Sequence, residues 1–582
     1  MRAPAAPSSG AAAPGFRELY TPKLVTVLGE GYGLDHLRAD AIAGLTVAIV
    51  ALPLSMAIAI ASGATPAMGL YTAIVGGVIV SALGGSRFQI GGPAGAFIIL
   101  VAATVQAHGI DGLILATILS GLMMAAIGLM RLGTYIKFIP YPVTVGFTAG
   151  IAVIIFASQL GEMLGLTFTG PEPGPLVEKL PALWAALPTL NAATIAVAAA
   201  TIGAITGLKR LRPHWPGMLI GVAGASVATA LSGLDVATIG TRFGGIPSSL
   251  PMPSLPDFEF AMVLAVLPNA ISFTLLSSIE SLLSAVVADG MTGRRHRSNC
   301  ELVAQGVANV AAGLFGGFCV TGTIARTATN IRSGAHGPVA GILHALFLLG
   351  FVLVAAPLAS FIPLASLAGV LAVVAWNMVE KHAVATLFRA SRGDAAVLAV
   401  TFLLTVFRGL TEAIVVGFAL GSVLFIHRMS RTTAVETHVP LVAEDKADVS
   451  NGGRTPYDER REVDPQIVVY RITGAFFFGA AASIGAVLDR IQDTHRMLVI
   501  DFAGVPFLDS SGANTIEGLA RKAARRGVEV YLTGTSHEMR RELFAHGLKP
   551  PLVHYAPGIP EALRRAKRTL AATATAGVSA GA

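Results

Sequence analysis

Cysteine and charge are both scarce in this chain of 582 residues. Cys300 and Cys319 are the only cysteines, too few for a disulfide framework, and no spacing suits a metal site. Cys319 lies in the glycine-rich run GLFGGFCV and reads as a small packing residue. Asp, Glu, Lys and Arg together make up only 13% of the residues, against 53% hydrophobic residues and a mean hydropathy of +0.69. That balance excludes a soluble protein and implies one that crosses a membrane many times. The opening MRAPAAPSSGAAAPG has no continuous apolar run, which argues against a cleaved signal peptide and for a disordered cytoplasmic start. The net charge of +7 would suggest nucleic acid only if topology were ignored. No nucleic-acid partner is expected, because the basic residues collect in loops on one side.

Glycine, by contrast, is abundant at 65 residues, as suits membrane helices packed through small side chains. Apolar stretches fall near 39–62, 68–83, 93–106, 112–130, 140–161, 192–208 and 216–232. A second set falls near 262–288, 302–316, 323–333, 336–356, 362–376, 394–407 and 410–428. Seven and seven imply two related repeats, and an odd number of spans makes them inverted. If the N-terminus is cytoplasmic, Arg87, Arg131, Lys209, Arg210, Arg294, Arg295, Arg297, Arg389 and Arg392 all fall in cytoplasmic loops. This bias places both termini in the cytoplasm and supports fourteen spans.

The third stretch of each half is short. GGPAGAFIILVAATVQ (91–106) and TGTIARTATNIRSG (321–334) each open on a glycine-containing polar loop. From Pro93 to Gln106 a helix would rise only ~21 Å against a hydrocarbon core of ~30 Å. Matched broken segments in two halves point to a transport site, because half-helix N-termini attract anions. Pro93 suits a first helical turn, and the N–H groups of Ala94, Gly95 and Ala96 are expected to face the site. Thr323, Ile324 and Ala325 should present N–H groups from the other side, with the Thr323 hydroxyl as a cap. Arg326 adds a cation at membrane depth.

The eighth stretch carries a polar stripe. Ser277, Glu280, Ser281 and Ser284 recur at i, i+3, i+4 and i+7 and so share one helix face. A lone charged Glu280 there would cost several kcal/mol. It is expected to carry the coupling proton, or else to be a structural acid paired with Arg326 or with a backbone group. A second alternative has Glu280 and Ser284 holding Na+ through hard oxygen ligands. Asp289 is expected to pair with nearby arginines, Asn299 to cap the ninth helix with Glu301 in its first turn, and Gln305 and Asn309 to bond between helices.

Character changes near residue 431. Residues 431–465 are polar and read as a linker. QIVVYRITG, MLVIDFAG and GVEVYLTG look like buried strands, with helices at 480–492 and 510–527. The alternation implies a small α/β domain over 466–570. Residues 571–582 read as a disordered tail.

IVALPLSMAIAIASG (49–63), GLYTAIVGG (69–77), GGSRFQIGGPAGAF (84–97), SIESLLSAVVADGMTG (278–293), ELVAQGVANV (301–310) and TGTIARTATNIRSGA (321–335) resemble the SulP family of anion transporters. This family includes sulfate permeases and prestin, and the nearest likeness is to its bacterial C4-dicarboxylate members. FLDSSG (507–512) resembles a STAS domain. The resemblance implies a cytoplasmic region over 1–38, a transporter domain of core and gate over 39–430, and a homodimer in the bacterial inner membrane. It implies secondary transport of a small anion (C4-dicarboxylate, sulfate or bicarbonate) by an elevator movement, without cofactor or enzymatic step. H+ would be the coupling ion, with Na+ the alternative. The substrate would lie between the two half-helices near Pro53, with Glu280, Arg326 and Pro93 matching family positions. Leu54 departs from a frequent family glutamine, and Glu280 and Ser284 depart from the Asp and Thr of some bicarbonate members. In antagonist relatives a serine of the DSSG turn is phosphorylated, which implies Ser510, then Ser511, and a cytoplasmic kinase or other regulator. Other readings are an uncoupled anion channel or an anion sensor signalling through the STAS domain. A nucleobase permease would need neither Arg326 nor the STAS domain.

Overall fold

The computed structural model describes residues 15–136, 140–170, 173, 176–212, 215–256, 260–431, 434–437, 466–477 and 496–579. It divides into two units, residues 1–419 and 420–582. The start of the N-terminal region, most of the linker and the helix expected at 480–492 lie outside the described residues.

Every expected apolar stretch forms helix, all in the first unit except the last, which runs across its boundary. The first half contributes α1 (Leu34–Ala61), α2 (Pro66–Leu83), α3 (Ile98–Leu129), α4 (Tyr141–Leu164), α5 (Ala192–Leu211) and α6 (Gly217–Ser232). The second contributes α7 (Phe260–Thr292), α8 (Ser298–Leu314), α9 (Ile324–Arg332), α10 (Val339–Ala359), α11 (Leu364–Met378), α12 (Lys381–Ala390), α13 (Arg392–Phe407) and α14 (Leu410–Arg431). Among the described residues, nine helices are long and apolar enough to cross a membrane by themselves. The count is below fourteen partly because two expected stretches merge into α3 across a break at Gly109 (φ 69°, ψ −173°). Others, such as α9, are too short to span. Helix α12 was not foreseen: KHAVATLFRA is too polar to register as a hydrophobic stretch.

Two groups of helices form the unit. Helices α1, α2, α3, α7, α8, α9 and α10 pack together, as do α4, α5, α6, α11 and α13. Helices α6 and α11 meet α1 where the groups touch. Small residues let backbones approach. A Cβ on Gly121 of α3 would sit 2.6 Å from the Gly306 carbonyl oxygen of α8, and one on Gly306 would sit 2.5 Å from that of Gly121.

Among the described residues, the second unit holds a five-stranded sheet. Strand β3 (Ala434–Thr437) runs antiparallel to β4 (Ile467–Thr473); β5 (Met497–Gly504), β6 (Glu529–Thr533) and β7 (His554–Ala556) follow in parallel. Strand β3 lies within the stretch expected as linker. Val468, Tyr470 and Ile472 face α15 (Ser510–Arg525) and α16 (His537–Ala545), whereas Ile467 and Val469 face α17 (Ile559–Ser579). The sheet is thus covered on both sides, which is why MLVIDF is buried throughout. Helix α17 continues through 571–579, residues expected as a tail.

Candidate functional site: two half-helices joined by a short ladder

The two broken segments meet. Strand β1 (Gly91–Gly92) pairs antiparallel with β2 (Thr321–Gly322), with Gly91 opposite Gly322 and Gly92 opposite Thr321. The Thr323 N–H extends the contact by donating to the Ile90 carbonyl at 3.0 Å. Each strand leads directly into a short helix, so two helix N-termini come together at membrane depth. The first is preceded by a 3-10 turn, Gly95–Phe97, and ends at the Gly109 break after about 16 Å of rise. The second is α9.

Two local expectations are corrected. Pro93 and Ala94 precede the first helical turn, and Ala94 is extended (φ −118°, ψ 146°). Proline's fixed ring therefore shapes the lead-in and does not occupy the first turn. Thr323 holds the N-cap position, but its hydroxyl makes no cap; it donates to the Ile90 carbonyl at 3.4 Å.

Three side chains of α9 hold the first segment. Arg326 Nη2 donates to the Pro93 carbonyl at 2.5 Å. Thr327 Oγ1 accepts from the Ile90 N–H at 3.1 Å, and Asn330 Nδ2 donates to the Phe88 carbonyl at 2.9 Å. Gly92 makes room for the arginine: its φ is 157°, and a Cβ there would lie 2.3 Å from Arg326 Nη1. On the other strand, a Cβ on Gly322 would overlap Gln89.

The stripe on α7 fastens both strands. The Ser277 carbonyl accepts from Thr321 Oγ1 at 3.2 Å, Ser281 Oγ accepts from Gln89 Nε2 at 2.8 Å, and Ser284 Oγ donates to Thr327 Oγ1 at 3.2 Å. Glu280 sits among these residues, half-buried. Its Oε2 is closed from solvent and, with Nε and Nη1 of Arg326, makes no hydrogen bond among the described residues. The two side chains sense each other's charge without a direct ion pair. The structural pairing with Arg326 expected as an alternative for Glu280 is therefore not formed. Ser284 is turned to Thr327, not toward a ligand set shared with Glu280.

The rim faces the second helix group. Ala325 is exposed, whereas Gly95 and Ile324 are partly so. A Cβ on Gly95 would touch Ile155 of α4 at 3.1 Å and lie 3.9 Å from Met378 of α11. First-turn N–H groups have no partner inside their own helix, so both N-termini present donors to this opening. Pro53 is placed differently. It lies in α1 beside a separate, almost wholly apolar cavity of about 360 Å³, with Val222 and Ser226 of α6 and Leu358 of α10.

Nearby polar residues take structural roles. Fully buried Glu301 accepts from the N–H groups of Gly85 (2.8 Å) and Ser86 (3.0 Å) and from Gln305 Nε2 (3.0 Å), fixing the turn before β1. Asn309 clasps Val320, in the loop before β2, by both backbone groups at 2.9 and 2.8 Å; its contact between helices is Nδ2 to Met124 Sδ of α3 at 3.8 Å, and Gln305, expected to bond between helices, stays within α8. Asn299 is not the cap; Arg297 holds that position, and Asn299 accepts from Gly133 N–H at 3.0 Å. Asp289 bonds His296 at 2.7 Å, not an arginine. In the second unit Asp509 caps α15 through Gly512 N–H at 2.8 Å, Ser510 Oγ donates to Glu542 at 2.5 Å, and Ser511 is half-buried.

Residues 37–401 match the sulfate permease family and residues 460–562 match the STAS domain. The chain belongs to the sulfate permease family. YvdB of Bacillus subtilis (strain 168), whose name carries a provisional sulfate-transporter assignment, is 39% identical over 526 residues, covering 89% of this chain and 95% of that one. The bicarbonate transporter BicA of Synechocystis is 31% identical over 518 residues, covering 87% and 90%. Among solved structures, SLC26A9 superposes with a TM-score of 0.81 at 19% identity, covering 94% of this chain and 92% of that one. The transmembrane domain of a cyanobacterial BicA gives 0.59 at 31% identity, covering 67% and 98%. The fold is thus that of a SulP-type transporter followed by a STAS domain, and the family is one of transporters, not enzymes.

Proposed function

We propose that this protein is a proton-coupled symporter of a small oxyanion. The observation that carries the reading is the β1–β2 ladder. It joins two helix N-termini beside Arg326, whose Nε and Nη1 make no hydrogen bond among the described residues, and beside Glu280. Helix-terminal N–H groups and one guanidinium bind an oxyanion from several sides. Glu280 is half-buried and close enough to feel Arg326. Protonating it as the anion binds keeps the loaded site near neutral, which lowers the cost of moving it through the membrane. The first helix group would then slide as an elevator against the second, with the rim at Gly95, Ile155 and Met378 as the sliding contact. The named relatives favour sulfate and bicarbonate ahead of C4-dicarboxylate. An inner-membrane homodimer with both termini cytoplasmic, and regulation at Ser510 or Ser511, complete the proposal. A phosphate on Ser510 would face the Glu542 carboxylate and part α15 from α16.

The test is uptake of labelled sulfate, bicarbonate and succinate into proteoliposomes under an inward proton gradient, comparing wild type with Glu280→Gln. Gradient-driven uptake of one anion, lost in the variant while anion exchange survives, is expected. Equal gradient-driven uptake by both proteins would remove Glu280 as the coupling group. Acceleration by an inward Na+ gradient instead would transfer the coupling to sodium. Fast conductance without coupling would make the protein a channel.

A further inference from the structure

Beyond Arg326 lies a second buried polar group with no assigned task. His344 on α10 is fully buried, and neither ring nitrogen makes a hydrogen bond among the described residues. A ring nitrogen leans toward the Gly341 carbonyl without completing a bond. Burying an imidazole without partners costs on the order of a lost hydrogen bond or more. An apolar residue of similar size would fill the space at lower cost.

Its surroundings explain why it is there. Helix α10 passes against α1 and α2 at two glycines. A Cβ on Gly44 of α1 would lie 3.0 Å from the His344 backbone nitrogen. A Cβ on Gly77 of α2 would lie 3.7 Å from His344 Nδ1 and 3.4 Å from the Gly91 carbonyl oxygen of β1. The imidazole and strand β1 thus meet in front of the same glycine. The next residue of that strand, Gly92, carries the Arg326 guanidinium, and the same spot is 3.6 Å from Ala73 of α2, one turn before Gly77. Arg326 is the charged group that acts on His344. Two buried polar groups therefore border one two-residue strand: Arg326, with Nε and Nη1 making no hydrogen bond among the described residues, against Gly92, and His344, with neither ring nitrogen bonded, beside the same point of Gly77 as the Gly91 carbonyl.

We infer that His344 is a positioning residue for Arg326: a neutral imidazole behind β1 whose dipole holds the guanidinium in its anion-facing pose. This rests on the reading of Arg326 as the anion-binding cation. A neutral ring is required, because a second cation beside Arg326 would push it out of place. The effect is that of a neutral dipole, so an amide, which also carries one, can substitute for the ring and an alkyl group cannot.

The experiment has two arms on the full-length protein. In the first, melting temperatures of wild type, Arg326→Gln, His344→Leu and the double variant form a cycle that needs no substrate. The expected result is coupling: His344→Leu shifts the melting temperature much less in the Arg326→Gln background. Additive shifts would overturn the pairing, whatever the protein transports. In the second, sulfate and bicarbonate uptake kinetics compare wild type, His344→Leu and His344→Gln. The expected result is KM raised about tenfold in His344→Leu with kcat changed less than twofold, and near-wild-type KM and pH profile in His344→Gln. KM within twofold in His344→Leu would make the residue plain packing. A pH profile altered in His344→Gln would make it a proton carrier instead. Failure of wild type to carry either anion would count against the proposed function and leave the first arm to decide the pairing.

Discussion

The two half-helices share a ladder but are built differently. The first segment, residues 88–98, offers backbone: its side chains there are glycine, proline, alanine and buried apolar residues, plus Gln89. The second offers side chains: Arg326, Thr327 and Asn330 each reach across to a backbone group of the first. One half of the site is therefore shaped by the other. In the proposed oxyanion site, the backbone-lined wall would accept many oxyanions, whereas the side-chain-lined wall would supply charge and fix geometry. This suits a family whose substrates differ while its fold does not.

The contrast can be tested by breaking the second wall. Arg326→Gln removes the cation and should lower uptake about 100-fold, the scale of one buried charge-assisted contact of ~3 kcal/mol. Uptake kinetics in proteoliposomes measure it, and a loss below threefold would remove Arg326 from the binding site. Gly92→Ala tests the first wall. Its Cβ would strike Arg326 Nη1 in a backbone conformation that suits glycine, a penalty of ~1–3 kcal/mol. A lower melting temperature and about tenfold weaker uptake are expected; a wild-type melting curve would contradict the packing. Thr327→Val strands the buried Ile90 N–H, costing ~1–3 kcal/mol, and should reduce stability more than Ser284→Ala, which removes one hydroxyl donor from the same oxygen. Equal effects in thermal melts would mean that the Ile90 contact is not the one that matters.

The smallest effect lies outside the spans. His336, in the turn after α9, has its pKa pushed below the usual 6.5 by partial burial and then by the stacked His36 ring, with Asp40 opposing. A histidine harder to protonate when folded stabilises the protein above about pH 6.5 and loses that advantage as pH falls through it. His336→Gln should therefore flatten the decline of melting temperature between pH 7 and 5. An unchanged slope would assign the decline to other groups.

Much of this was legible in the sequence because hydropathy and broken helices are local signals. All fourteen apolar stretches form helix, and the pair of short segments is where β1 and β2 meet. Glu280 and Arg326 stood out because charge is rare at membrane depth. What stayed hidden depends on tertiary contact. Gln89, Thr327 and Asn330 are ordinary polar residues until β1 meets β2. The orphaned state of His344 emerges only when α10 is packed against Gly44 and Gly77. Thr323 and Asn299 have cap-forming side chains, yet distant backbone groups, the Ile90 carbonyl and the Gly133 N–H, claim them, and residue type alone does not show that. Pro53 followed from the family resemblance, and its apolar cavity has no sequence signature.

In the proposed function an anion binds where the two N-termini meet. Ala325→Asp tests it most directly, through labelled sulfate and bicarbonate uptake together with a melting curve. Ala325 is exposed in the first turn of α9, so an aspartate there is favoured by the free N–H groups and would occupy the site as a tethered anion. Uptake lost, with the melting temperature unchanged or raised, is expected. Uptake within twofold of wild type, in a variant equally stable, would contradict it.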